Sequence, residues 1–106
     1  MPPRLIVLPQ DRLTPTQRAE IVALCDAAFA EPFAWLFDLL PGATHLLARE
    51  GKRLVGHACW VERWLYPEEG SPLRSAYVEA VATLPARQGG GIGTAMMRQV
   101  AAEIAA

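Results

Sequence analysis

The sequence has no excess of charge of either sign: 10 Lys and Arg stand against 11 Asp and Glu among 106 residues, for a formal net charge of −1. Without a strongly basic surface, the main driving force for binding nucleic acid or an anionic membrane is missing. Only two cysteines are present, Cys25 and Cys59, which is too few for a disulfide-stapled scaffold and predicts a reducing, cytoplasmic location. We therefore expect neither nucleic acid nor a membrane among the partners.

The sequence also lacks a long apolar run and a leader-like start. No apolar stretch approaches the roughly 20 residues that span a membrane, and the opening residues 1–5, with two consecutive prolines, lack the form of a signal peptide. The composition, 52% hydrophobic and 20% charged, is that of a folded globular chain rather than a disordered one. Since neither a linker nor an internal repeat interrupts it, we predict a single domain over residues 1–106.

Hydrophobic periodicity predicts an α+β fold. Apolar runs of strand length recur four times, and short connections between the last three predict an antiparallel meander. Two longer segments repeat apolar residues every three to four positions, as amphipathic helices do, and the first begins at a capping box formed by Thr14 and Gln17. We therefore expect a four-stranded, mainly antiparallel sheet with two to three helices. The predicted strands are 5–8, 44–49, 53–66 and 75–83, and the predicted long helices are 15–29 and about 91 to the end.

Strict alternation assigns the side chains of the two longest strands to faces. Both faces of the third strand are apolar up to Glu62, so we expect this strand to be central and covered on both sides. One predicted face carries Leu54, Gly56, Ala58, Trp60, Glu62 and Trp64. The opposite face carries Val55, His57, Cys59, Val61 and Leu65. In the fourth strand, one predicted face carries Tyr77, Glu79, Val81 and Thr83, and the opposite face carries Ala76, Val78, Ala80 and Ala82.

The segment 30–42 has apolar residues at helical spacing and ends at Pro41 and Gly42, which predicts a short apolar helix or an ordered loop. Closely placed aromatic residues occur in this segment and just before it. Two interpretations are open: ordinary core packing, or one wall of a substrate pocket. The aromatic residues are Phe29, Phe33, Trp35 and Phe37.

A glycine-rich turn between the fourth strand and the last helix points to function. A cap or hairpin needs one glycine, whereas four occur here, and each costs about 0.5–1 kcal/mol relative to alanine within a regular element. Without side chains, the backbone N–H groups that open the helix stay accessible and, with the helix dipole, form an anion site. Phosphate is the expected ligand, with the hydroxyl of Thr94 beside it, and the alternative is a merely flexible turn. The glycines are Gly89, Gly90, Gly91 and Gly93.

Two common phosphate-binding motifs do not fit this turn. A P-loop needs Lys and then Ser or Thr after the glycines, and the dinucleotide fingerprint needs a third glycine and an acidic residue about 20 positions on. Residues 88–93, Gln-Gly-Gly-Gly-Ile-Gly, instead match the Gln/Arg-x-x-Gly-x-Gly/Ala signature of the GNAT superfamily of N-acetyltransferases. The segment 78–85 resembles that family's fourth strand, and segments 56–58 and 65–82 are similar to its aminoglycoside 2′-N-acetyltransferase branch.

The resemblance implies an N-acetyltransferase that uses acetyl-CoA, without a metal, to acetylate a primary amine of a small molecule. In this family acetyl-CoA lies along the fourth strand and across the glycine turn. Backbone groups of the strand would then pair with the pantetheine arm, and those of the turn would hold the pyrophosphate. Arg87 would meet a nucleotide phosphate or be a solvated surface arginine. The implied cofactor-binding residues are Val81, Ala82, Thr83, Gln88, Gly89, Gly90, Gly91, Ile92, Gly93 and Thr94.

Glu79 is the implied catalytic residue, because a carboxylate at this place in the family often acts as general base or holds the amine. The alternative is a salt bridge to a neighbouring-strand residue such as Arg63, since an acid within an apolar strand is costly unless it is paired. His57 fits a hydrogen-bonded histidine of the sheet better than a substrate ligand, and His57 with Cys59 are too few ligands for a metal site. In the aminoglycoside branch, Asp38 would match a substrate-contacting acid.

The family's fold continues beyond this helix with further strands and another helix, so we expect a partial domain, truncated after the pyrophosphate-binding helix. The fourth strand would then be an unpaired edge, which invites pairing with another chain. We expect a homodimer through that strand or through the last helix. Three functions stay open: an N-acetyltransferase completed by an oligomer or partner, a catalytically incomplete CoA-binding module, and a structural remnant.

Overall fold

The structure is a computed structural model that describes residues 2–106. It contains four strands and three α-helices, which confirms the predicted α+β class. Single turns of 3-10 helix at Gln10–Arg12 and Pro85–Arg87 follow the first and last strands. In chain order the elements are β1 (Arg4–Pro9), α1 (Pro15–Phe29), α2 (Leu36–Leu39), β2 (Thr44–Glu50), β3 (Arg53–Leu65), β4 (Leu73–Thr83) and α3 (Ile92–Ala105).

The strands form one sheet in the order β1-β2-β3-β4, and each neighbouring pair is antiparallel. The predicted meander is therefore confirmed. β3 is central and buried from Leu54 to Val61, as its two apolar faces predict. β4 begins two residues before its predicted start, at Leu73, and is an edge strand of the sheet that residues 2–106 form.

Helix α1 begins at the predicted capping box. The Thr14 hydroxyl accepts a hydrogen bond from the N–H of Gln17 (3.1 Å), and the Gln17 side chain accepts one from the N–H of Thr14 (2.9 Å). These two bonds satisfy donors that a helix N-terminus otherwise leaves without partners. The buried side chains Ile21, Leu24 and Cys25 pack on one face of the sheet, which we call the α1 face.

Helix α3 covers the opposite face, the α3 face, with the predicted stripe of Ile92, Met96 and Val100. Its first turn lies very close to β3: a Cβ added to Gly56 would lie 2.8 Å from Sδ of Met96 and 3.1 Å from Cγ2 of Ile92. Glycine at position 56 therefore lets the glycine-rich turn and the start of α3 sit directly against the sheet. No helix within residues 2–106 is both long enough and apolar enough to cross a membrane.

A bulge between β2 and β3 corrects the predicted faces of β3. Ala48 pairs with Gly56 and Arg49 pairs with Leu54, so Val55 is an extra residue without a counterpart on β2. Leu54 consequently packs with the α1 face and Val55 with the α3 face, the reverse of their predicted placement. From Gly56 to Trp60 the predicted alternation holds.

A second bulge, between β3 and β4, corrects the predicted faces of β4. Cys59 pairs with Glu79 and His57 pairs with Ala82, so that both Ala80 and Val81 stand opposite the single residue between His57 and Cys59. Ala80 has a positive φ of 51°, a region that non-glycine residues rarely occupy. The strict alternation predicted across residues 76–83 is therefore broken at this point.

The bulge changes which side chains share a face. Val78 and Val81, three residues apart, both pack on the α3 face, whereas Ala80 and Ala82 pack on the α1 face. Glu79 shares the α1 face with its pairing partner Cys59, because directly paired residues point to the same side of a sheet. The prediction that Glu79 and Val81 share a face is therefore wrong, because the two side chains lie on opposite sides of the sheet.

The segment 30–42 contains the predicted short helix, α2, and its aromatic residues divide between the two interpretations. Phe33 is buried in the core and stacks on Phe29 with ring centroids 4.8 Å apart. Phe37 is partly buried and lies under the guanidinium of Arg18. Phe29 and Trp35 remain exposed, so ordinary packing explains only part of this aromatic set.

Candidate functional site

The glycine-rich turn leaves the N-terminus of α3 uncapped by side chains. Gly91, the residue before the helix, has a φ of 85°, and Gly89 has a φ of 82°. The carbonyl of Gly91 accepts from the N–H of Ala95 (3.0 Å), but no side chain caps the first-turn N–H groups. The N-terminus of α1, by contrast, is capped by the side chains of Thr14 and Gln17. The start of α3 thus presents free donors and the positive end of a helix dipole to a ligand.

A depression of about 390 Å³ lies over this uncapped end. It brings together the end of β4, the turn and the first turn of α3, as the sequence predicted. The side-chain amide of Gln88 ties two of these parts together by donating to the carbonyl of Thr83 (3.2 Å). Gly90 does not line the depression; a Cβ there would face the carbonyl of Arg87 at 3.4 Å. The lining residues are Thr83, Arg87, Gln88, Gly89, Gly91, Ile92, Gly93 and Thr94.

Arg87 forms an ion pair with Glu50 at the edge of this depression. The guanidinium donates to both carboxylate oxygens, with Nε 2.7 Å from Oε1, and the two residues are 37 positions apart in the sequence. This hydrogen bond lowers the pKa of Glu50 and raises that of Arg87. Arg87 thus lines the depression while paired with Glu50, so it is not an isolated surface arginine, and the sequence alone gave no sign of its partner.

The predicted pantetheine-binding stretch, Val81 to Thr83, lies at the end of the edge strand. The side chain of Ala82 is buried, and those of Val81 and Thr83 are partly buried. Backbone groups that point away from β3 face no further strand of the sheet formed by residues 2–106. What this stretch offers to a ligand is consequently its backbone, as an unpaired edge does.

Glu79 has an exposed side chain next to the bulge. Its own carbonyl accepts a hydrogen bond from the thiol of Cys59 (3.3 Å), which anchors the backbone while leaving the carboxylate free. The alternative salt bridge to Arg63 is absent from the ion pairs within residues 2–106, and Arg63 pairs in register with Ser75 rather than with Glu79. The carboxylate is thus accessible to a proton or a cationic group.

Asp38, the other acid singled out from the sequence, is exposed in α2. It takes part in neither of the ion pairs found within the described residues. It belongs to a different element from Glu79 and from the glycine turn.

A buried network of hydrogen-bonded side chains lies on the α1 face of β2 and β3. His57 Nε2 is 2.8 Å from His45 Nδ1, and His45 Nε2 is 2.8 Å from Oε1 of Gln10. The amide nitrogen of Gln10 donates to the carbonyl of Phe37 (3.0 Å). Both imidazoles are fully buried. The interpretation of His57 as a hydrogen-bonded sheet histidine is confirmed, whereas His45 and Gln10 were missed.

The donor and acceptor of each hydrogen bond in this network follow from the amide of Gln10, which lies at one end of it. Because the Gln10 nitrogen donates to Phe37, its oxygen faces His45 and must accept, so Nε2 of His45 carries the proton. Nδ1 of His45 then accepts from Nε2–H of His57. Nδ1 of His57 is left as an acceptor, 4.0 Å from the thiol sulfur of Cys25. Both rings are therefore neutral.

Burial explains this neutrality. Desolvation lowers the pKa of His45 to about 4, helped by the charge of Arg18, and lowers that of His57 to about 3, helped by His45. The thiols are affected in the opposite direction, since burial raises the pKa of Cys25 to about 11 and that of Cys59 to about 12. All four groups are uncharged at neutral pH.

The ligand atoms of His45, His57 and Cys59 lie within 4.8 Å of one another. Sequence reasoning counted only two candidate ligands here, because it did not place His45 beside them. Two nitrogens bound to one tetrahedral zinc lie about 3.3 Å apart, given Zn–N distances of about 2.0–2.1 Å. The two histidine nitrogens are 2.8 Å apart and share a proton, so their present spacing is that of a hydrogen bond.

Comparison with known proteins gives a family match across most of the chain. The protein-family model for the acetyltransferase (GNAT) family matches residues 11–106. A search of curated proteins finds no significant match.

Three solved structures share the fold. Escherichia coli ElaA superposes with a TM-score of 0.72 at 19% identity, over 96% of this chain and 69% of that one. A GNAT family acetyltransferase from Brucella melitensis, in complex with acetyl-CoA, superposes with a TM-score of 0.65 at 25% identity, over 95% of this chain and 68% of that one. The aminoglycoside antibiotic 6′-N-acetyltransferase AAC(6′)-Ih from Acinetobacter baumannii superposes with a TM-score of 0.61 at 18% identity, over 92% of this chain and 69% of that one.

Proposed function

Because the chain belongs to the GNAT acetyltransferase family, we propose that it transfers the acetyl group of acetyl-CoA to a primary amine of a small molecule. The observation that carries the proposal is the uncapped N-terminus of α3 beneath a glycine-lined depression of about 390 Å³. A pyrophosphate there accepts hydrogen bonds from the first-turn N–H groups and meets the positive end of the helix dipole. The acetyl-CoA complex of the related Brucella protein supports this choice of ligand.

In the proposed complex, the pyrophosphate lies at Gly89 to Gly93 and the pantetheine arm runs along the open edge of β4 at Val81 to Thr83. The amides of the arm pair with the outward backbone groups of this edge, as an added strand would. The thioester is then carried toward Glu79, which is three residues before Ala82 on the same strand. Only backbone and small side chains are needed for binding, which agrees with the residues found there.

The reaction forms one bond and breaks one. The amine nitrogen attacks the thioester carbonyl, a C–N bond forms, the C–S bond breaks, and the sulfur of CoA leaves with the bonding electrons. The amine loses a proton and the departing thiolate takes one up. We assign the first of these transfers to the carboxylate of Glu79, acting directly or through one water, because it is exposed and unpaired by any ion pair within residues 2–106.

We propose a cationic small molecule as the acceptor. The exposed aromatic rings of Phe29 and Trp35, together with the free carboxylate of Glu79, suit a protonated amine. The aminoglycoside 2′-N-acetyltransferase branch remains our specific proposal, and it is supported by the similarity of segments 56–58 and 65–82. The related Acinetobacter protein acts, by its name, on the 6′ position of such antibiotics.

The second candidate is a module that binds CoA without turnover. The chain spans 68–69% of the length of the three solved structures that it resembles. Isothermal calorimetry with acetyl-CoA and with CoA, followed by thiol release over a panel of primary amines, separates the two. Binding with thiol release supports the transferase, and binding without release supports the module. No binding at millimolar cofactor contradicts both.

Replacing Glu50 by Gln is expected to strengthen acetyl-CoA binding about 2–5-fold, the size of effect expected for one solvent-accessible charge. The change removes a negative charge beside the phosphate site and frees the guanidinium of Arg87. Calorimetry at low and high salt measures the effect, which should shrink as salt rises. Glu20→Gln breaks the other ion pair found within residues 2–106, with Arg49, and serves as the control. Weaker binding in E50Q would mean that Glu50 holds Arg87 in its binding position.

A homodimer is the proposed assembly, through the edge of β4 or through α3. The exposed side chains of Leu73 and Tyr77 on β4, and of Trp64 on β3, give that end of the sheet an apolar surface. Light scattering should therefore give a mass near twice 11.6 kDa. A stable monomer at high micromolar concentration would contradict this assembly.

A further inference from the structure

Three buried side chains that carry metal-ligand atoms lie together on the two central strands of the sheet. His45 of β2 pairs in register with Cys59 of β3, and His57 stands two residues before Cys59 on the same strand. Directly paired residues, and residues two apart on one strand, point to the same side of a sheet. All three side chains are fully buried, and one ligand atom of each lies within 4.8 Å of the other two. Strand pairing, rather than a loop, therefore fixes this cluster.

Two imidazole nitrogens and one thiolate are a ligand set for zinc, whereas the hard cations Mg²⁺ and Ca²⁺ prefer oxygen. The two nitrogens that face each other, Nδ1 of His45 and Nε2 of His57, share a proton across 2.8 Å. Around a tetrahedral zinc they would lie about 3.3 Å apart, and each would lie about 3.6 Å from the sulfur. No separation within the cluster exceeds 4.8 Å, so zinc requires the nitrogens to part by about 0.5 Å and the sulfur to approach by about 1.2 Å at most.

The outer nitrogen of His45 already makes the hydrogen bond that a zinc-bound histidine needs. Its Nε2–H donates to Oε1 of Gln10 (2.8 Å), and the amide of Gln10 donates in turn to the carbonyl of Phe37 (3.0 Å). A bond of this kind, from the nitrogen that does not bind the metal, fixes the tautomer and the ring orientation of a metal-bound histidine. Nδ1 of His45 consequently directs a lone pair toward His57. His45 is thus oriented as a ligand before any metal binds.

We propose that His45, His57 and Cys59 bind one zinc ion, which lies between the facing ring nitrogens and the sulfur. Water completes the tetrahedron, as it does around other zinc ions with three protein ligands. Because the ligands come from the two central strands, the ion ties β2 to β3 within the core. None of the three ligands lines the depression at the glycine turn, so the site goes beyond the proposed acetyl transfer and does not depend on it.

Zinc binding to this cluster releases one proton to solvent. The thiol of Cys59 loses its proton, because the charge of the ion deprotonates a coordinating thiol even where burial alone keeps it neutral. Nε2 of His57 gives up the proton that it shares with His45, and Nδ1 of the same ring, 4.0 Å from the sulfur of Cys25, takes one up. Cys59 also gives up its hydrogen bond to the carbonyl of Glu79. Calorimetry in buffers of different ionisation enthalpy counts the released proton.

The test adds zinc to the metal-free protein while it refolds from urea, because α1 packs over this face and such a site forms together with the fold. We expect one zinc per chain, with a Kd of about 1 µM or tighter by competition with a chromogenic chelator. Zinc at a 100-fold excess over Kd should raise the Tm by roughly 10 °C or more. Mg²⁺ at the same concentration should leave the Tm unchanged.

Cobalt(II) in place of zinc identifies the ligands. A thiolate on tetrahedral Co²⁺ gives a charge-transfer band in the near ultraviolet and strong bands in the visible. Cys59→Ser should lose the charge-transfer band and weaken zinc binding by at least about 10-fold, and His45→Gln should weaken zinc binding similarly. Cys25→Ser is the matched control, since Cys25 is also buried beside His57 but faces its other ring nitrogen. This variant should keep both the band and the affinity.

Two results would overturn the proposal. The first is that the refolded wild type takes up no zinc below millimolar concentration, and the second is that C25S loses as much affinity as C59S does. If C59S does not fold, H45Q and C25S carry the same comparison, and equal affinities in these two variants would contradict the site. A wild type that binds zinc but not acetyl-CoA would contradict the proposed function alone.

Discussion

Gly91→Asp is expected to weaken acetyl-CoA binding by about 100-fold or more. The substitution places a carboxylate in the depression where the proposed pyrophosphate meets the start of α3. Two unit charges 4 Å apart repel by about 4 kcal/mol at an effective dielectric constant of 20, and each 1.4 kcal/mol is tenfold in affinity. A Cβ at this position meets nothing within 4 Å, so the loss reflects charge rather than a clash. Calorimetric titration with acetyl-CoA measures it.

Two variants separate the charge from the backbone strain. Gly91→Asn has almost the same shape as G91D and tolerates the left-handed φ of 85° equally well, but is neutral. Its affinity for acetyl-CoA should fall only a few-fold. Gly42→Asp introduces the same acid at a φ of 76°, also without contacts within 4 Å, at the opposite end of β2 from the glycine turn. It should bind normally. Equal affinities for G91D and G91N would contradict an anion site at this turn.

The sequence predicted most of the fold, because the relevant signals are local. The capping box at Thr14 fixed the start of α1 to the residue, and apolar stripes located α3 and the meander. The bulges escaped prediction for a physical reason. Ala80 has none of the glycine or asparagine character that marks a positive φ, so only the pairing of its neighbours with β3 reveals the extra residue.

The glycine-rich turn was predictable from the sequence, and the contacts around it were not. Gln88 to Thr94 form a contiguous pattern whose chemistry can be inferred without tertiary contacts. The Arg87–Glu50 ion pair joins residues that are 37 positions apart in the sequence, and the hydrogen bond between His45 and Gln10 joins residues that are 35 positions apart. Both depend on strand register, which a one-residue shift would destroy. A single sequence therefore predicts the candidate phosphate-binding turn better than it predicts the contacts that surround that turn.

The same buried histidines make the protein sensitive to mild acid. In the folded state burial lowers the pKa of His45 to about 4 and that of His57 to about 3, whereas in the unfolded chain both lie near 6.5. Above pH 6.5 both states are neutral and stability is complete. As the pH falls below 6.5 the unfolded state binds protons that the folded state does not. Each histidine then removes up to about 1.4 kcal/mol per pH unit until its folded pKa is reached.

Unfolding free energies from urea titrations between pH 7.5 and 4 should therefore decline steeply below pH 6.5. The combined loss by pH 4 is about 6 kcal/mol, which is comparable to the whole stability of a small domain. The paired carboxylates cannot produce this early decline. The pKa of Glu20, lowered by its hydrogen bond to Arg49, lies below 4.5, so its contribution is lost only below that pH.

The control variant is His45→Gln, which keeps a hydrogen-bonding side chain between Gln10 and His57 but does not titrate. It should be less stable than the wild type at pH 7.5, because its bonds are less well formed, and yet lose stability more slowly between pH 6.5 and 5. The two curves should then converge in acid. Parallel curves across that interval would contradict a neutral buried histidine pair, since removing one of two titrating groups must reduce the number of protons bound on unfolding.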